Sequence, residues 1–441
     1  MLRGMVAIVG RPNVGKSSFF NYLAGERISI VDDTPGVTRD RIYTRVEWLD
    51  REFNIIDTGG LEPDSEDIIL KQMREQAEIA IEMADCIIMM VDAKAGIQAA
   101  DEDIANILRK SGKPVVLAVN KCDVPGQVPM NFYDFYSLGF EHIMGISASH
   151  GLGIGDLLDQ VVHFLPDELP EEDDDTIRVA LIGKPNVGKS SLLNKMLGEN
   201  RAIVSDIPGT TRDSTDTPLE NAYGKFVLVD TAGMRRKSRI NDVLERYSTM
   251  RAAAAIEKAN VCLLLIDGTE GISEQDTKIA GLAHNAGKGI IVCVNKWDLP
   301  QDQKANTAEE TKNLIMETLA FMPYAEIIFI SAMTGLKLNS VFEHIVEVYE
   351  STRTRVPTGK LNDLIGEAQQ MLQAPGYKGR RLKINYATQV AVEPPTFVLF
   401  VNSVDLLHFS YERYLENQIR RAYGFRGTSI RFILREKEKR N

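Results

Sequence analysis

Short apolar runs alternate along most of the chain with longer stretches whose apolar residues recur at helical spacing. In the first third, MVAIV, FNIID, CIIMMVD, PVVLAVN and HIMGIS are nearly continuous apolar runs of strand length. Helix-like segments such as Asp67–Met83 lie between them. Runs that are apolar on every side suit strands buried on both faces, so the alternation predicts an α/β fold: a mostly parallel sheet with helices on both faces. From Val356 onward the pattern changes. It predicts a helix near Lys360–Leu372, strands near Leu382–Val392 and Phe397–Asn402, a helix near Tyr411–Ala422 and a strand near Ser429–Leu434. That order describes a small α+β domain.

The chain also repeats itself. GRPNVGKSS at Gly10–Ser18 returns as GKPNVGKSS at Gly183–Ser191, 173 residues later. DxPGxTRD, ending at Asp40 and again at Asp213, keeps that offset, as do DTGG at Asp57–Gly60 and DTAG at Asp230–Gly233. NKCD at Asn120–Asp123 and NKWD at Asn295–Asp298 lie 175 apart, and SAS at Ser147–Ser149 and SAM at Ser331–Met333 lie 184 apart. A nearly constant offset this long marks a duplicated domain, with loop-length changes late in each copy. Between the copies PDELPEEDDDT, Pro166–Thr176, holds two prolines and seven carboxylates; such a segment repels itself and reads as an extended linker. The expected division is a first domain over 1–165, the linker over 166–176, a second domain over 177–355 and the α+β tail over 356–441.

Charge changes the picture at one end. The net charge is −11, yet residues from Val356 to Asn441 carry 14 Lys/Arg against 8 Asp/Glu, or +6, leaving −17 on the remainder. A basic tail on an acidic body favours a polyanionic partner or an internal electrostatic docking. Four scattered cysteines (Cys86, Cys122, Cys262, Cys293), with no CxxC and no nearby histidine cluster, read as reduced core thiols of a cytoplasmic protein. No apolar run reaches the length that spans a bilayer, and no leader or lipidation motif is expected.

The motifs specify chemistry. GxxxxGKS follows a strand and opens a helix, so its backbone N–H groups and the helix N-terminus converge on phosphates. This loop comprises Gly10, Arg11, Pro12, Asn13, Val14, Gly15, Lys16 and Ser17, and again Gly183, Lys184, Pro185, Asn186, Val187, Gly188, Lys189 and Ser190. Lys16 and Lys189 are expected to reach the β- and γ-phosphates, with Ser17 and Ser190 on Mg2+. Thr38 and Thr211 suit a switch loop that senses the γ-phosphate through the metal, and Asp57 and Asp230 suit the metal-side carboxylate. Lys16, Thr38, Lys189 and Thr211 are therefore the candidate catalytic residues. In DTGGL (Asp57, Thr58, Gly59, Gly60, Leu61) and DTAGM (Asp230, Thr231, Ala232, Gly233, Met234), Gly60 and Gly233 can each offer a backbone N–H to the γ-phosphate.

Base choice falls to NKxD. The carboxylates of Asp123 and Asp298 can accept from guanine N1–H and its exocyclic amine, a donor pair adenine lacks. Asn120 and Asn295 are expected to brace the loop, the stems of Lys121 and Lys296 to cover the base, and Cys122 and Trp297 to complete the motif. Ser147 and Ser331 precede Ala148 and Ala332, whose backbone N–H groups are expected to meet guanine O6.

This motif set and order resembles the translation-factor-related GTPases, particularly their Era-like branch. Two such domains before a small α+β tail resemble the Der (EngA) family along essentially the whole chain. The resemblance implies two tandem P-loop GTPase domains, a KH-like tail and Mg2+-dependent hydrolysis of GTP. It further implies a role with the large ribosomal subunit and its rRNA, in the cytoplasm, with no membrane or DNA partner and a monomeric chain. The competing reading is a GTP-dependent RNA-modification or signalling protein that does not act on ribosomes.

Where many GTPases carry a water-orienting glutamine after DxxG, this chain has Leu61 and Met234. Pure binding domains without turnover are one reading. The resemblance implies another: a potassium ion near the phosphates, held partly by Asn13 and Asn186. The copies then diverge. EPDSED follows the first DTGGL and RRKSR follows the second DTAGM, so the acidic switch (Glu62, Asp64, Glu66) is expected to dock on the basic tail and the basic one to contact RNA. In the tail, GYKG (Gly376–Gly379) and GFRG (Gly424–Gly427) lie between a helix and a strand. They read as helix-terminating glycines rather than a KH backbone clamp. RNA contact is expected through Lys378, Arg380, Arg381, Arg420, Arg421 and the terminal REKEKRN.

Overall fold

The structure, a computed structural model, describes residues 4–25, 43–57, 77–78, 80–81, 84–165, 176–199, 216–229, 244–298, 308–377 and 379–436. The chain divides into two compact units, Met1–Glu172 and Asp173–Asn441.

In the first unit, β1 (Gly4–Val9) leads into a helix at Lys16–Gly25, followed by β2 (Tyr43–Trp48), β3 (Arg51–Asp57) and β4 (Cys86–Asp92). A helix at Ala99–Ser111, β5 (Val115–Asn120), a 3-10 turn at Met130–Leu138, β6 (His142–Gly145) and a helix at Ile154–Phe164 complete it. The sheet runs β2-β3-β1-β4-β5-β6. Every neighbour pair is parallel except β2 with β3. β1, β4 and β5 are buried along their whole length, as strands covered on both faces must be. One face packs Phe19, Leu23, Leu157 and Val161, and the other Ala80, Ile104, Leu108 and Phe135. The last helix buries Ile154, Leu157, Leu158, Val161 and Val162, the single stripe that a 3.6-residue period produces.

The second unit repeats the plan. β7 (Thr176–Ile182), a helix at Lys189–Glu199, β8 (Thr217–Asn221), β9 (Gly224–Val229), a helix at Leu244–Lys258 and β10 (Val261–Asp267) come first. Then come a helix at Glu274–Asn285, β11 (Gly289–Asn295), a helix at Ala308–Thr318, β12 (Glu326–Phe329) and a helix at Leu338–Arg353. The order is β12-β11-β10-β7-β9-β8, with β8 the antiparallel edge. In both copies the parallel strands deliver their carboxyl ends to one edge, where an α/β sheet places its ligand.

The tail holds a helix at Thr358–Met371, a short hairpin of β13 (Gly376–Tyr377) and β14 (Arg380–Arg381), then β15 (Ile384–Ala391), β16 (Thr396–Val401), a helix at Phe409–Tyr423 and β17 (Arg431–Glu436). β16 lies between antiparallel β15 and parallel β17. Both helices cover one face, where Leu361, Ile365, Leu415 and Ile419 meet Phe397 and Leu399.

Two sequence expectations change. Each sheet gains an antiparallel edge, β2 and β8, that the apolar pattern does not mark, because YTRVEW and TPLEN are short and carry charge, as an edge tolerates. GYKG does not terminate a helix: the helix ends at Met371 and Gly376 opens the hairpin, with Gly379 at φ +74 in its two-residue turn. Gly424 does cap its helix, as expected, at φ +87.

The tail is joined to the second sheet by backbone as well as side chains. Ile290 N–H donates to Gly427 O at 2.7 Å, and Gly427 N–H donates to Tyr324 O at 3.0 Å. The Arg420 guanidinium lies 4.7 Å from the Tyr324 ring centroid and donates to Thr428 O at 2.8 Å and Glu416 Oε1 at 2.7 Å. Arg420 is therefore committed to this seam, a correction to its expected place on an RNA-facing surface.

Candidate functional site

The first loop starts where β1 ends. Val14 is fully buried in the core and anchors the loop's middle, while Asn13 takes φ +64, a left-handed conformation that asparagine tolerates. Lys16, at the helix start, is 6% exposed, and its Nζ donates to Gly10 O at 2.6 Å and Arg11 O at 2.8 Å. The loop curls around the ammonium. Arg11 is tied down by Asp101 Oδ2 at 3.3 Å, and Ser17 is exposed at the mouth.

The second loop repeats this geometry. Asn186 is at φ +64, Val187 is buried, and Lys189 Nζ donates to Gly183 O at 2.7 Å and Lys184 O at 2.6 Å. Burial pulls the Lys189 ammonium down to about 8. Lys184 pairs with Glu270 at 2.7 Å in place of the Arg11–Asp101 contact.

NKxD is joined to these loops by hydrogen bonds that cross the sheet. Asn120 Nδ2 donates to Val14 O at 2.7 Å, and its Oδ1 accepts from Ala148 N–H at 3.0 Å. Asn295 makes the same pair with Val187 O at 2.7 Å and Ala332 N–H at 2.8 Å. One buried amide thus links three motifs in each copy. The approach explains two glycines: at Gly15 (φ +102) and Gly188 (φ +100) a Cβ would collide with the side-chain amides of Asn120 and Asn295. The Ala148 and Ala332 N–H groups, expected to face guanine O6, are directed at these asparagines, so a base would share them as bifurcated donors.

Lys121 and Lys296 sit at φ +70 and +62. Each Nζ lies 2.5 Å from a carboxylate outside the sequence motifs, Asp92 for the first and Asp267 for the second. Lys121 Nζ also donates to Asn13 O at 3.2 Å. Burial works to raise Asp92 and Asp267, but the lysine bonds and the backbone N–H groups beyond each strand end outweigh it and hold both carboxyls below their usual range. The signal was present in VDAKAG and IDGTEG, which end apolar strands 175 residues apart.

Asp123 accepts from Lys94 Nζ at 2.6 Å and Ser147 Oγ at 2.7 Å, which hold its carboxyl below the usual range. His150 Nδ1 lies 2.9 Å from Ser147 Oγ. Cys122 is buried, its N–H donating to Ile146 O at 2.9 Å; Trp297 N–H donates to Ile330 O at 3.1 Å and its ring packs on Phe329 at 4.4 Å. Ser331 is buried, and Asp298 is exposed. A cavity of about 600 Å³ opens beside Lys94, Lys121, Asp123 and Val128.

A family described as 50S ribosome-binding GTPase matches residues 5–121 and 178–296, and one described as the KH-domain-like C-terminal part of EngA bacterial GTPase enzymes matches 355–435. A "GTPase Der" from Acetivibrio thermocellus is 59% identical over 440 residues, covering 100% of each chain.

The chain belongs to the GTPase Der family.

A second GTPase Der, from Ruminiclostridium cellulolyticum, is 58% identical over 442 residues and also covers 100% of each chain. A solved structure of an Era variant from Aquifex aeolicus bound to GDP·AlF4− aligns at a TM-score of 0.32 and 25% identity, covering 58% of this chain and 88% of that one. As a Der-family member the chain is a GTP-binding and GTP-hydrolysing protein with two G domains and a KH-like tail. GTP is its substrate, and Mg2+ is the metal that such GTPases use. The oxygen donors here suit that hard cation: Ser17 and Ser190 open the helices after the loops, and β3 ends at Asp57 in register with Ile8 of β1.

Several expected residues lie outside the described ones. They are Thr38, Thr58, Gly59, Gly60 and Leu61 in the first copy, and Thr211, Asp230, Thr231, Ala232, Gly233 and Met234 in the second. So do the acidic and basic segments after DxxG, most of Asp67–Met83, residues 166–175, Lys378 and the last five residues. The four cysteines are free and buried, and burial pushes Cys86 and Cys262 up to about 12. Among the described residues no helix is long and apolar enough to cross a membrane.

Proposed function

We propose that this chain is a two-site GTP switch that helps mature the large ribosomal subunit, acting in the cytoplasm as a monomer. The observation that carries it is full-length likeness, at 59% identity, to a GTPase Der, with both G regions matching the family described as 50S ribosome-binding. The +6 tail supports a polyanionic partner, with Arg380, Arg381 and Arg421 exposed on it. The domain boundaries proposed from the sequence stand alongside this reading.

At each site the loop N–H groups and Lys16 or Lys189 hold the phosphates. Ser17, Thr38 and Asp57, or Ser190, Thr211 and Asp230, would hold Mg2+, which neutralises charge on the phosphate oxygens. Asp123 and Asp298 choose guanine. Leu61 and Met234 cannot orient water, so we assign the missing charge stabilisation to a potassium ion partly held by Asn13 and Asn186. Their identical φ of +64 presents the same loop geometry twice. Turnover faster in KCl than in NaCl at equal ionic strength supports this assignment; equal rates overturn it.

The ribosomal role is tested by sedimenting the protein with separated ribosomal subunits in GTP, GDP and a non-hydrolysable analogue at two salt concentrations. Nucleotide-dependent co-sedimentation with the large subunit is expected. Absence of binding in every state overturns the proposal.

A further inference from the structure

The two base-reading carboxylates differ in their neighbours. Lys94 lies two residues beyond the end of β4, 66% exposed, with its Nζ 2.6 Å from Asp123 Oδ2, while Ser147 Oγ occupies Oδ1 at 2.7 Å. Both oxygens of Asp123 are thus engaged. Guanine N1–H and the exocyclic amine require those same two oxygens. In the second copy the position of Lys94 is taken by Thr269, whose hydroxyl and N–H both turn inward to Asp267 Oδ1, at 2.7 and 2.9 Å. A threonine cannot cross to the NKWD carboxylate. Among the described residues nothing bonds Asp298.

We propose that Lys94 tunes the guanine-nucleotide affinity of the first site: its ammonium competes with the guanine edge for Asp123 Oδ2. The first site thereby holds guanine nucleotides less tightly than the same site without it. This rests on the reading of Asp123 as the base-reading carboxylate. A serine hydroxyl can pivot away at little cost and still support the carboxylate, whereas a paired ammonium must be displaced before the base docks. Because the pair is exposed, the competition is modest and salt-sensitive.

The test uses the full-length protein carrying Lys189→Ala, which silences the second loop, with fluorescently labelled GDP as the probe. Lys94→Thr, the second domain's own residue, and Lys94→Met, which keeps the stem without the charge, should each bind about threefold tighter than Lys94, with about fivefold as the ceiling for an exposed pair. The gain should shrink at about 0.5 M KCl. The reciprocal Thr269→Lys, in a Lys16→Ala background, should weaken the second site by a similar factor. Unchanged or weaker binding in both Lys94 variants, with unchanged melting temperatures, overturns the proposal. Asp123→Asn separates the two layers. If it binds labelled GDP as tightly as the parent, the base-reading assignment fails. If it loses affinity while the Lys94 variants gain none, the competition alone fails.

Discussion

At the first site the NKCD carboxylate is held between Lys94 and Ser147, with His150 beside them. At the second, Ser331 Oγ instead accepts from Thr334 N–H at 3.1 Å, and Thr269 faces Asp267. Beneath this difference lies a shared layer: the asparagine that ties loop to alanine, the lysine paired with a strand-end carboxylate, and the ammonium wrapped by loop carbonyls. The buried layer is duplicated closely and the exposed layer has diverged. Packing explains this, because a change to a buried amide strands several polar groups at once, whereas an exposed side chain can be exchanged at little cost.

The largest way to break the equivalence is to remove one ammonium at a time. Lys16→Ala and Lys189→Ala should each cut phosphate release at their own site by roughly 10²–10³-fold, read as single-turnover rates. If one substitution leaves total turnover unchanged, only the other site hydrolyses. Next in size is the brace. Asn120→Ala and Asn295→Ala each leave an alanine N–H and a loop carbonyl without their partner, at about 1–3 kcal/mol per buried group. A loop loosened by even one such group should bind GDP roughly fivefold to 150-fold more weakly, alike at both sites if the buried layer is truly equivalent. Unequal losses would place the difference deeper than Lys94.

A smaller effect sharpens the comparison through pH. Burial lowers Lys189 to about 8, and bound phosphates favour its charged form. Nucleotide affinity at the second site should therefore be level below pH 8 and fall above it, approaching tenfold per pH unit. Titrating the Lys16→Ala protein with GDP at pH 7, 8 and 9 checks this, and a flat profile would refute it. The threefold gain expected of the Lys94 variants is the smallest difference.

Much of this was legible in the sequence because the motifs sit at ends of apolar runs, where parallel strands must deliver them. The duplicated offset alone separated two sheets and placed Asn120 and Asn295 near their loops. What escaped was tertiary. Asp92 and Lys121 are 29 residues apart, and only the register of β4 on β5, which sets Asp92 opposite Asn120, makes them partners. Asp267 and Asn295 repeat this on β10 and β11. The charge of Arg420 pointed to RNA, but its position beneath the Gly427 turn points to Tyr324. The tail hairpin was hidden because glycine is equally at home after a helix and in a two-residue turn.

The Gly427 contact carries a consequence for how the chain is made. β11 and β12 lead directly into NKWD and SAM, yet the N–H of Ile290 at the start of β11 is satisfied by a carbonyl 137 residues later. A growing polypeptide lays down the guanine-reading motifs of its second domain long before it supplies the residue that closes their strand's opposite end. Until Gly427 is in place, the Ile290 N–H at the start of that strand lacks this partner. The central sheet of the second domain is in this sense completed by its tail.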